Sequence, residues 1–238
     1  MNHRDVRLLP APLISGFSDL VSPVAEWLIR RRIRPNTITS TSAIIVIGAG
    51  AAFGLDMPRL GALWLLLSGL LDVLDGQVAR RGGMVSTFGA FFDSTLDRVG
   101  EAVLFAGLAI YFQTAEGQAV PVLGVGLALA ALAGSFLVSY TRARAEGLDL
   151  DCKVGLAQRP ERILGLGAPT LFFGAGPHGL LLIVIIALLA VVSWITVVQR
   201  IAHVYRATNG GSALPPASGG PVAGAPSAAP RGSDVKGR

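Results

Sequence analysis

The stretch at residues 60–97 reads LGALWLLLSGLLDVLDGQVARRGGMVSTFGAFFDSTLD, and it indicates both the fold class and the chemistry of this chain. Its first part is apolar over nearly the 20 residues that a helix needs to cross about 30 Å of hydrocarbon. Four aspartates follow, Asp72, Asp75, Asp93 and Asp97. A carboxylate in the middle of a membrane helix costs roughly 2.5–3.5 kcal/mol, so such residues usually face a cavity and mark function.

The composition of the whole chain is that of a membrane protein. Of its 238 residues, 52% are hydrophobic and only 15% are charged, and the mean hydropathy is +0.59. A soluble domain of this size would need more polar surface. The net charge of +5 would suggest a nucleic-acid partner in a soluble protein. In a membrane protein it reflects arginines that face the cytoplasm, so we expect no nucleic-acid binding.

Apolar segments of spanning length recur along the chain. There are six, at about 37–55, 60–79, 86–112, 119–142, 161–176 and 179–203, of which the fifth is the weakest. Residues 16–33 precede them and have apolar positions at helical spacing, leading into three consecutive arginines. This pattern is typical of an amphipathic helix in the membrane interface. We therefore predict an all-α integral membrane protein with six transmembrane helices preceded by an interfacial amphipathic helix.

The distribution of charge divides the chain and orients it. Residues 1–36 form a predicted cytoplasmic N-terminal segment, 37–206 the catalytic domain of six helices, and 207–238 a disordered cytoplasmic tail rich in Gly, Ala, Ser and Pro. The loops on one side carry nearly all the arginines, whereas the opposite loops carry only Arg59. The positive-inside rule then places both termini and the active site on the cytoplasmic side of the cell membrane.

The spacing of the aspartates predicts a metal site. Asp72 and Asp75 are three residues apart and Asp93 and Asp97 four apart, so each pair shares a helix face. The short connection RRGGMV predicts that the two helices are antiparallel neighbours and that the pairs converge. Two carboxylates about 5 Å apart repel by about 3 kcal/mol at an effective dielectric near 20, so cations are needed between them. Oxygen ligands without His or Cys favour Mg²⁺, Mn²⁺ or Ca²⁺.

Small and basic residues belong to the same predicted site. Gly76, Ala79 and Gly89 would let a diphosphate approach the helix backbone, and Arg80 would neutralise its charge. Taken together, residues 72–97 follow the pattern D-x2-D-G-x2-A-R-x8-G-x3-D-x3-D, with eight fixed positions in 26 residues. This string resembles the signature of the CDP-alcohol phosphatidyltransferase family. The likeness extends over about residues 20–206, including the RPNTIT entry to the first span.

The resemblance implies a reaction, its cofactors and a partner. Asp72, Asp75 and Asp93 would bind two divalent ions, Mg²⁺ or Mn²⁺, and Asp97 would both ligate and act as the base. Gly76, Ala79, Arg80 and Gly89 would contact a CDP-lipid donor such as CDP-diacylglycerol. The metals would hold the donor's diphosphate while a small polar alcohol attacks and CMP leaves. A homodimer is also implied.

The acceptor alcohol depends on basic residues outside the signature. The elements SYTRARAE, RPER and QR resemble those of phosphatidylinositol phosphate synthases and their archaeal counterparts. By that resemblance the acceptor phosphate would be bound by Arg142, by Arg159 or Arg162 in the RPER element, and by Arg200. Positive-inside bias alone would also account for these arginines. Glycerol 3-phosphate, giving phosphatidylglycerophosphate, is the alternative acceptor, and a cation transporter with intramembrane carboxylates is the alternative of another class.

Overall fold

The described residues of the computed structural model are 11–152, 154–155 and 159–209, with side chains described from residue 20 onward. The predicted disordered tail therefore lies outside them, except for its first three residues. Within these ranges the chain forms α-helices and one short 3-10 turn at Pro177–Gly179, and it has no strand. The α-helices are α1 (Ala11–Arg30), α2 (Pro35–Gly54), α3 (Pro58–Arg81), α4 (Thr87–Thr114), α5 (Pro121–Glu146), α6 (Arg159–Phe173) and α7 (Leu180–Asn209).

Each predicted apolar segment coincides with one helix, with shifted ends. Prolines in the first turn begin α2, α3 and α5, where the missing backbone N–H costs no helical hydrogen bond. The amphipathic helix starts earlier than predicted and ends at Arg30, before Arg32 takes a positive φ of 56°. Helix α5 extends four residues beyond the predicted end at residue 142.

Four of these elements are long and apolar enough to cross a membrane: α2, α3, α5, and α7 with its preceding turn. The chain is therefore an integral membrane protein. Helix α4 has 28 residues, but it carries four charged residues, Asp93, Asp97, Arg98 and Glu101. Helix α6 has 15 residues, about 22 Å at 1.5 Å per residue, less than the hydrocarbon thickness. The count of six spans thus stays a prediction.

The six helices after α1 form a closed ring of packed neighbours, in the order α2, α3, α6, α7, α5 and α4, with α4 returning to α2. Helix α1 lies against the outside of α3. Direct packing of α3 on α4, expected from their short connection, was wrong because α2 lies between them. Glycine allows this close fit: a Cβ on Gly107 of α4 would collide with the backbone carbonyl of Gly50 in α2.

The interior of the ring is apolar over most of its length. Its fully buried large side chains include Phe53, Leu65, Leu108, Phe112 and Ile186. A second apolar cluster joins α1 to α3 through Val21, Ala25 and Val78. Outward-facing apolar side chains such as Val122 and Leu188 are exposed, as expected where lipid replaces water. Polar side chains are concentrated near the end of the ring where α3 ends and α4 begins.

Candidate active site

The four aspartates predicted as ligands lie close enough to interact electrostatically. Asp75 interacts with both Asp72 and Asp93, and Asp97 interacts with Asp93 and Asp72. Asp75 is buried, with 6% of its surface exposed, and the other three are partly buried. The two aspartate pairs therefore lie in one region, although the helices that carry them pack against α2 and not against each other. Their role as metal ligands stays a prediction.

Helix α2 supplies hydroxyl groups to this cluster. Thr39 Oγ1 donates a hydrogen bond to Asp75 Oδ2 at 2.7 Å, and Ser42 Oγ lies 2.5 Å from Asp72 Oδ1. Both side chains are buried. Thr39 and Ser42 were not predicted from the sequence as site residues. The available signal was the run TITSTS, which places hydroxyl groups three residues apart at the start of an apolar helix. These hydroxyls fix the orientation of two carboxylates.

Arg159, the first residue of α6, reaches into the aspartate cluster. Its Nη2 lies 2.8 Å from Asp72 Oδ2 and 2.8 Å from Asp97 Oδ1, and its Nε donates to Asp72 Oδ2 at 3.2 Å. The Nη1 atom is buried and has no hydrogen-bond partner among the described residues. This one guanidinium therefore joins a carboxylate on α3 to a carboxylate on α4.

The donor set of the cluster suits a hard divalent cation. All four side chains offer carboxylate oxygens, and the site already holds one cationic group, the Arg159 guanidinium. Within residues 11–152, 154–155 and 159–209, no three His, Cys, Asp or Glu side chains converge closely enough to hold a metal ion. The Arg159 guanidinium lies between Asp72 and Asp97 and keeps these two carboxylates apart.

The residues expected to contact a CDP moiety surround the aspartates on α3 and α4. The Arg80 side chain lies across Gly76, where an added Cβ would be 3.0 Å from Arg80 Nη1. Gly89 faces Ser86 Oγ and Asn36 Oδ1, and the Ser86 hydroxyl accepts a hydrogen bond from its amide at 3.0 Å. Ala79 is half-buried one turn from Asp75. Arg80 therefore covers the backbone at Gly76, and Asn36 adds a polar group beside Gly89.

The other arginines expected to bind the acceptor lie along one path from Arg159. Arg162 interacts electrostatically with Arg159, and Arg200 interacts with Arg162 and Arg142. Arg142 is exposed and pairs with Glu146 at 2.8 Å. Arg200 is buried, and it donates to the backbone carbonyl oxygens of Val154 and Val138. These four arginines therefore lie in one region beside the aspartates, with Arg142 exposed and Arg162 and Arg200 buried.

Glu101 also lies in this region. Its Oε1 pairs with Arg162 Nη2 at 2.7 Å, its Oε2 accepts from Ser135 Oγ at 2.8 Å, and Arg162 Nη1 donates to the same Ser135 oxygen at 2.6 Å. Glu101 is therefore a buried polar contact within the helix ring. The network joins α4, α5 and α6.

Helices of spanning length, a carboxylate cluster at one end of the ring and arginines beside it are the features expected of a membrane-embedded transferase of phosphate-linked groups. The sequence profile named "CDP-alcohol phosphatidyltransferase" matches residues 32–205. Because this match covers most of the chain, the protein belongs to the CDP-alcohol phosphatidyltransferase family. The predicted reaction class is confirmed.

Relatives within the family share most of their length with this chain. The phosphatidylinositol phosphate synthase of Cutibacterium acnes is 38% identical over 209 residues, covering 81% of this chain and 96% of the relative. The archaetidylinositol phosphate synthase of Methanothermobacter thermautotrophicus is 36% identical, covering 82% and 92%.

Solved structures agree with these relatives. The Mycobacterium tuberculosis phosphatidylinositol phosphate synthase with CDP-DAG bound matches with a TM-score of 0.68 at 32% identity, covering 79% of this chain and 94% of that one. The same enzyme in complex with manganese and citrate matches with a TM-score of 0.66 at 33% identity, covering 77% and 88%.

Proposed function

We propose that this protein transfers the phosphatidyl group of CDP-diacylglycerol to an inositol phosphate and releases CMP. The relatives named above as phosphatidylinositol phosphate and archaetidylinositol phosphate synthases support this acceptor. The observation that carries the proposal is Arg159 held between Asp72 and Asp97. A phosphate-binding group thereby lies beside the carboxylate proposed as the base.

The donor site combines the aspartates with Gly76, Ala79, Arg80 and Gly89. When bound by Asp72, Asp75, Asp93 and Asp97, two divalent ions, Mg²⁺ or Mn²⁺, would stabilise the negative charge that develops on the departing CMP. The relative solved with manganese supports this choice of metal. Arg80 neutralises the diphosphate, while the missing side chain at Gly76 lets it approach α3.

Asp97 has the base role. Its carboxylate takes the proton of the acceptor hydroxyl, whose oxygen forms a bond to the lipid-side phosphorus as the bond from that phosphorus to the CMP oxygen breaks. The ion pair of Arg159 with Asp97 supports this assignment. If Arg159 holds the phosphate of the acceptor, the hydroxyl groups of the same acceptor molecule lie near Asp97.

The acceptor phosphate is bound by Arg142, Arg159, Arg162 and Arg200. A phosphomonoester carries up to two negative charges, which arginine neutralises through two parallel hydrogen bonds. The proximity of Arg159 to Arg162, three residues apart on α6, supports their acting together. An uncharged alcohol would not require it.

The arrangement in the membrane completes the proposal. Six helices, α2 to α7, cross the bilayer, α1 lies in the interface, and the termini and active site face the cytoplasm. The positive-inside distribution of arginines and the exposed apolar side chains of α1, Leu20, Val24 and Trp27, support this. The family resemblance supports a homodimer.

An acceptor panel tests the function. Purified protein in detergent micelles receives CDP-diacylglycerol and Mn²⁺ with inositol 1-phosphate, glycerol 3-phosphate, serine or free inositol, and CMP release is measured. We expect CMP only with inositol 1-phosphate. Turnover with glycerol 3-phosphate instead would assign the alternative acceptor. Cation flux in liposomes without CMP release from any acceptor would overturn the transferase proposal.

A further inference from the structure

We infer that Glu101, together with Ser135, is a positioning residue for the acceptor site. It holds Arg162, and through it the first turn of α6, so that Arg159 points at Asp72 and Asp97. This inference rests on the proposed function, because it assigns a role in binding the acceptor phosphate.

The first step is the place of α6 in the ring. Helix α6 packs against α3 and α7, yet its side chains reach across the interior to other helices. Arg162 reaches Glu101 on α4 and Ser135 on α5, and Arg159 reaches Asp97 on α4. These polar contacts, and not the packing of α6 on its neighbours, tie its first turn to α4 and α5.

The second step is the shared face of the two arginines. Arg159 and Arg162 are three residues apart, so they project from one side of α6. Any rotation of α6 that moved Arg162 away from Glu101 would also turn Arg159 away from the aspartates. Fixing one guanidinium therefore fixes the direction of the other.

The third step is that the hydrogen-bonding groups of Arg162, Glu101 and Ser135 are occupied by one another. Glu101 and Arg162 are only 11% and 10% exposed, and each terminal nitrogen of Arg162 has an oxygen partner. The Ser135 hydroxyl, itself buried, accepts from Arg162 and donates to Glu101, so it sets the angle between them. A buried ion pair contributes little net stability, whereas it specifies one arrangement strongly.

The surroundings of the pair offer few alternative polar partners. A small cavity of about 30 Å³ adjoins Glu101, Arg159 and Arg162, and its other lining residues are almost all apolar, such as Leu104, Phe105 and Leu166. A guanidinium released from Glu101 would find few polar partners there. It would move toward the solvent-accessible end of the ring, and α6 would move with it.

The test compares Glu101→Gln with Ser135→Ala and a matched control, Glu26→Gln. Glu26 is a carboxylate that pairs with an arginine, Arg81, but on the surface between α1 and α3. For each variant KM and kcat are measured for inositol 1-phosphate and for CDP-diacylglycerol. Mn²⁺ binding is measured by electron paramagnetic resonance, and the thermal midpoint in micelles is recorded.

We expect Glu101→Gln to raise the KM for inositol 1-phosphate about tenfold or more, the size of effect that removing a supporting hydrogen-bond partner has at other sites. Its kcat at saturating acceptor and its KM for the donor stay within about twofold of wild type, because bound acceptor restores the direction of Arg159 and the donor contacts Gly76, Ala79 and Arg80 lie on α3. Its Mn²⁺ affinity does not fall, because an Arg159 turned away from Asp72 and Asp97 no longer competes with the cation. Ser135→Ala moves the acceptor KM in the same direction by less, and it keeps the inference testable if Glu101→Gln does not fold. Glu26→Gln changes none of these quantities.

Two outcomes would overturn the inference. An unchanged acceptor KM with a lowered thermal midpoint makes Glu101 a purely structural residue. A lowered acceptor KM means that Glu101 competes with the phosphate for Arg162 instead of positioning it. If wild-type protein does not use inositol 1-phosphate at all, the proposed function fails first, so the two failures are distinguishable.

Discussion

Replacing Arg159 with glutamine tests how the aspartate cluster is neutralised. The change removes the guanidinium whose Nη2 lies 2.8 Å from both Asp72 and Asp97. Each charge pair is worth about 4 kcal/mol at 4 Å and an effective dielectric near 20. Desolvation of the three groups offsets much of this attraction, and breaking a buried pair costs about 3–5 kcal/mol in practice.

The exposure of the three side chains sets the expected value. They are 17–21% exposed, so solvent screens part of the interaction, and we take the lower end, about 3 kcal/mol. This loss of unfolding free energy is expected in excess EDTA. Saturating Mn²⁺ should reduce this loss to about 1 kcal/mol or less. A cation that binds only the folded protein stabilises the folded state, and in the variant the cation binds without competition from the guanidinium.

The assay is SDS titration of the purified protein in dodecyl maltoside micelles, followed by far-ultraviolet circular dichroism, with and without Mn²⁺. Arg81→Gln is the matched control, because Arg81 pairs with Glu26 at 3.6 Å on the surface, with side chains 40% and 59% exposed. We expect it to change stability by less than about 1 kcal/mol in either condition. The reasoning is refuted if Arg159→Gln loses the same stability with and without Mn²⁺, or loses no more than Arg81→Gln.

Four further predictions concern single positions. Asp97→Asn should lower kcat for CMP release by about 10²–10⁴-fold, since it removes the base, and near-normal turnover contradicts that role. Because the change also breaks the ion pair with Arg159, turnover is compared at a temperature where circular dichroism shows that the variant is folded. Thr39→Val, which takes the hydroxyl from buried Asp75, should weaken Mn²⁺ binding about 10–100-fold by electron paramagnetic resonance, whereas Thr39→Ser should not. Gly107→Ala forces a Cβ into the Gly50 carbonyl and should cost about 1–3 kcal/mol in SDS titration, and an unchanged midpoint would mean that α2 and α4 separate freely. Burial raises the pKa of the Cys152 thiol, so less of it is thiolate at neutral pH than in a free thiol. Its alkylation by iodoacetamide should therefore be slow and become faster as the pH rises. Labelling as fast as that of glutathione at about pH 7 argues against a buried thiol.

Local features of the sequence were enough to predict the helical membrane class and the aspartate site. Apolar runs of about 20 residues identify spanning helices because the bilayer requires every backbone group to be paired within the helix. Spacings of three and four residues place Asp72 with Asp75 and Asp93 with Asp97, because an α-helix has about 3.6 residues per turn. The family signature combines these same positions, so the reaction class was also readable from residues 72–97.

Only the tertiary structure decided which helices meet. Helical periodicity tells which face of a helix a residue lies on, but it does not tell which helix lies opposite that face. Direct packing of α3 on α4 was therefore inferred wrongly from a short loop, when the glycines at positions 50 and 107 bring α2 against α4. The hydroxyls of Thr39 and Ser42 reach the aspartates for the same reason.

The longest-range contacts show this limit most clearly. Arg159 is 87 residues from Asp72 in sequence, and Arg162 is 61 residues from Glu101. The sequence by itself determined that the chain has carboxylates within a membrane and a supply of arginines beside them. Their pairing was decided by the closure of the helix ring, because a buried charge must find its partner on whichever helix the packing of small and apolar residues brings near.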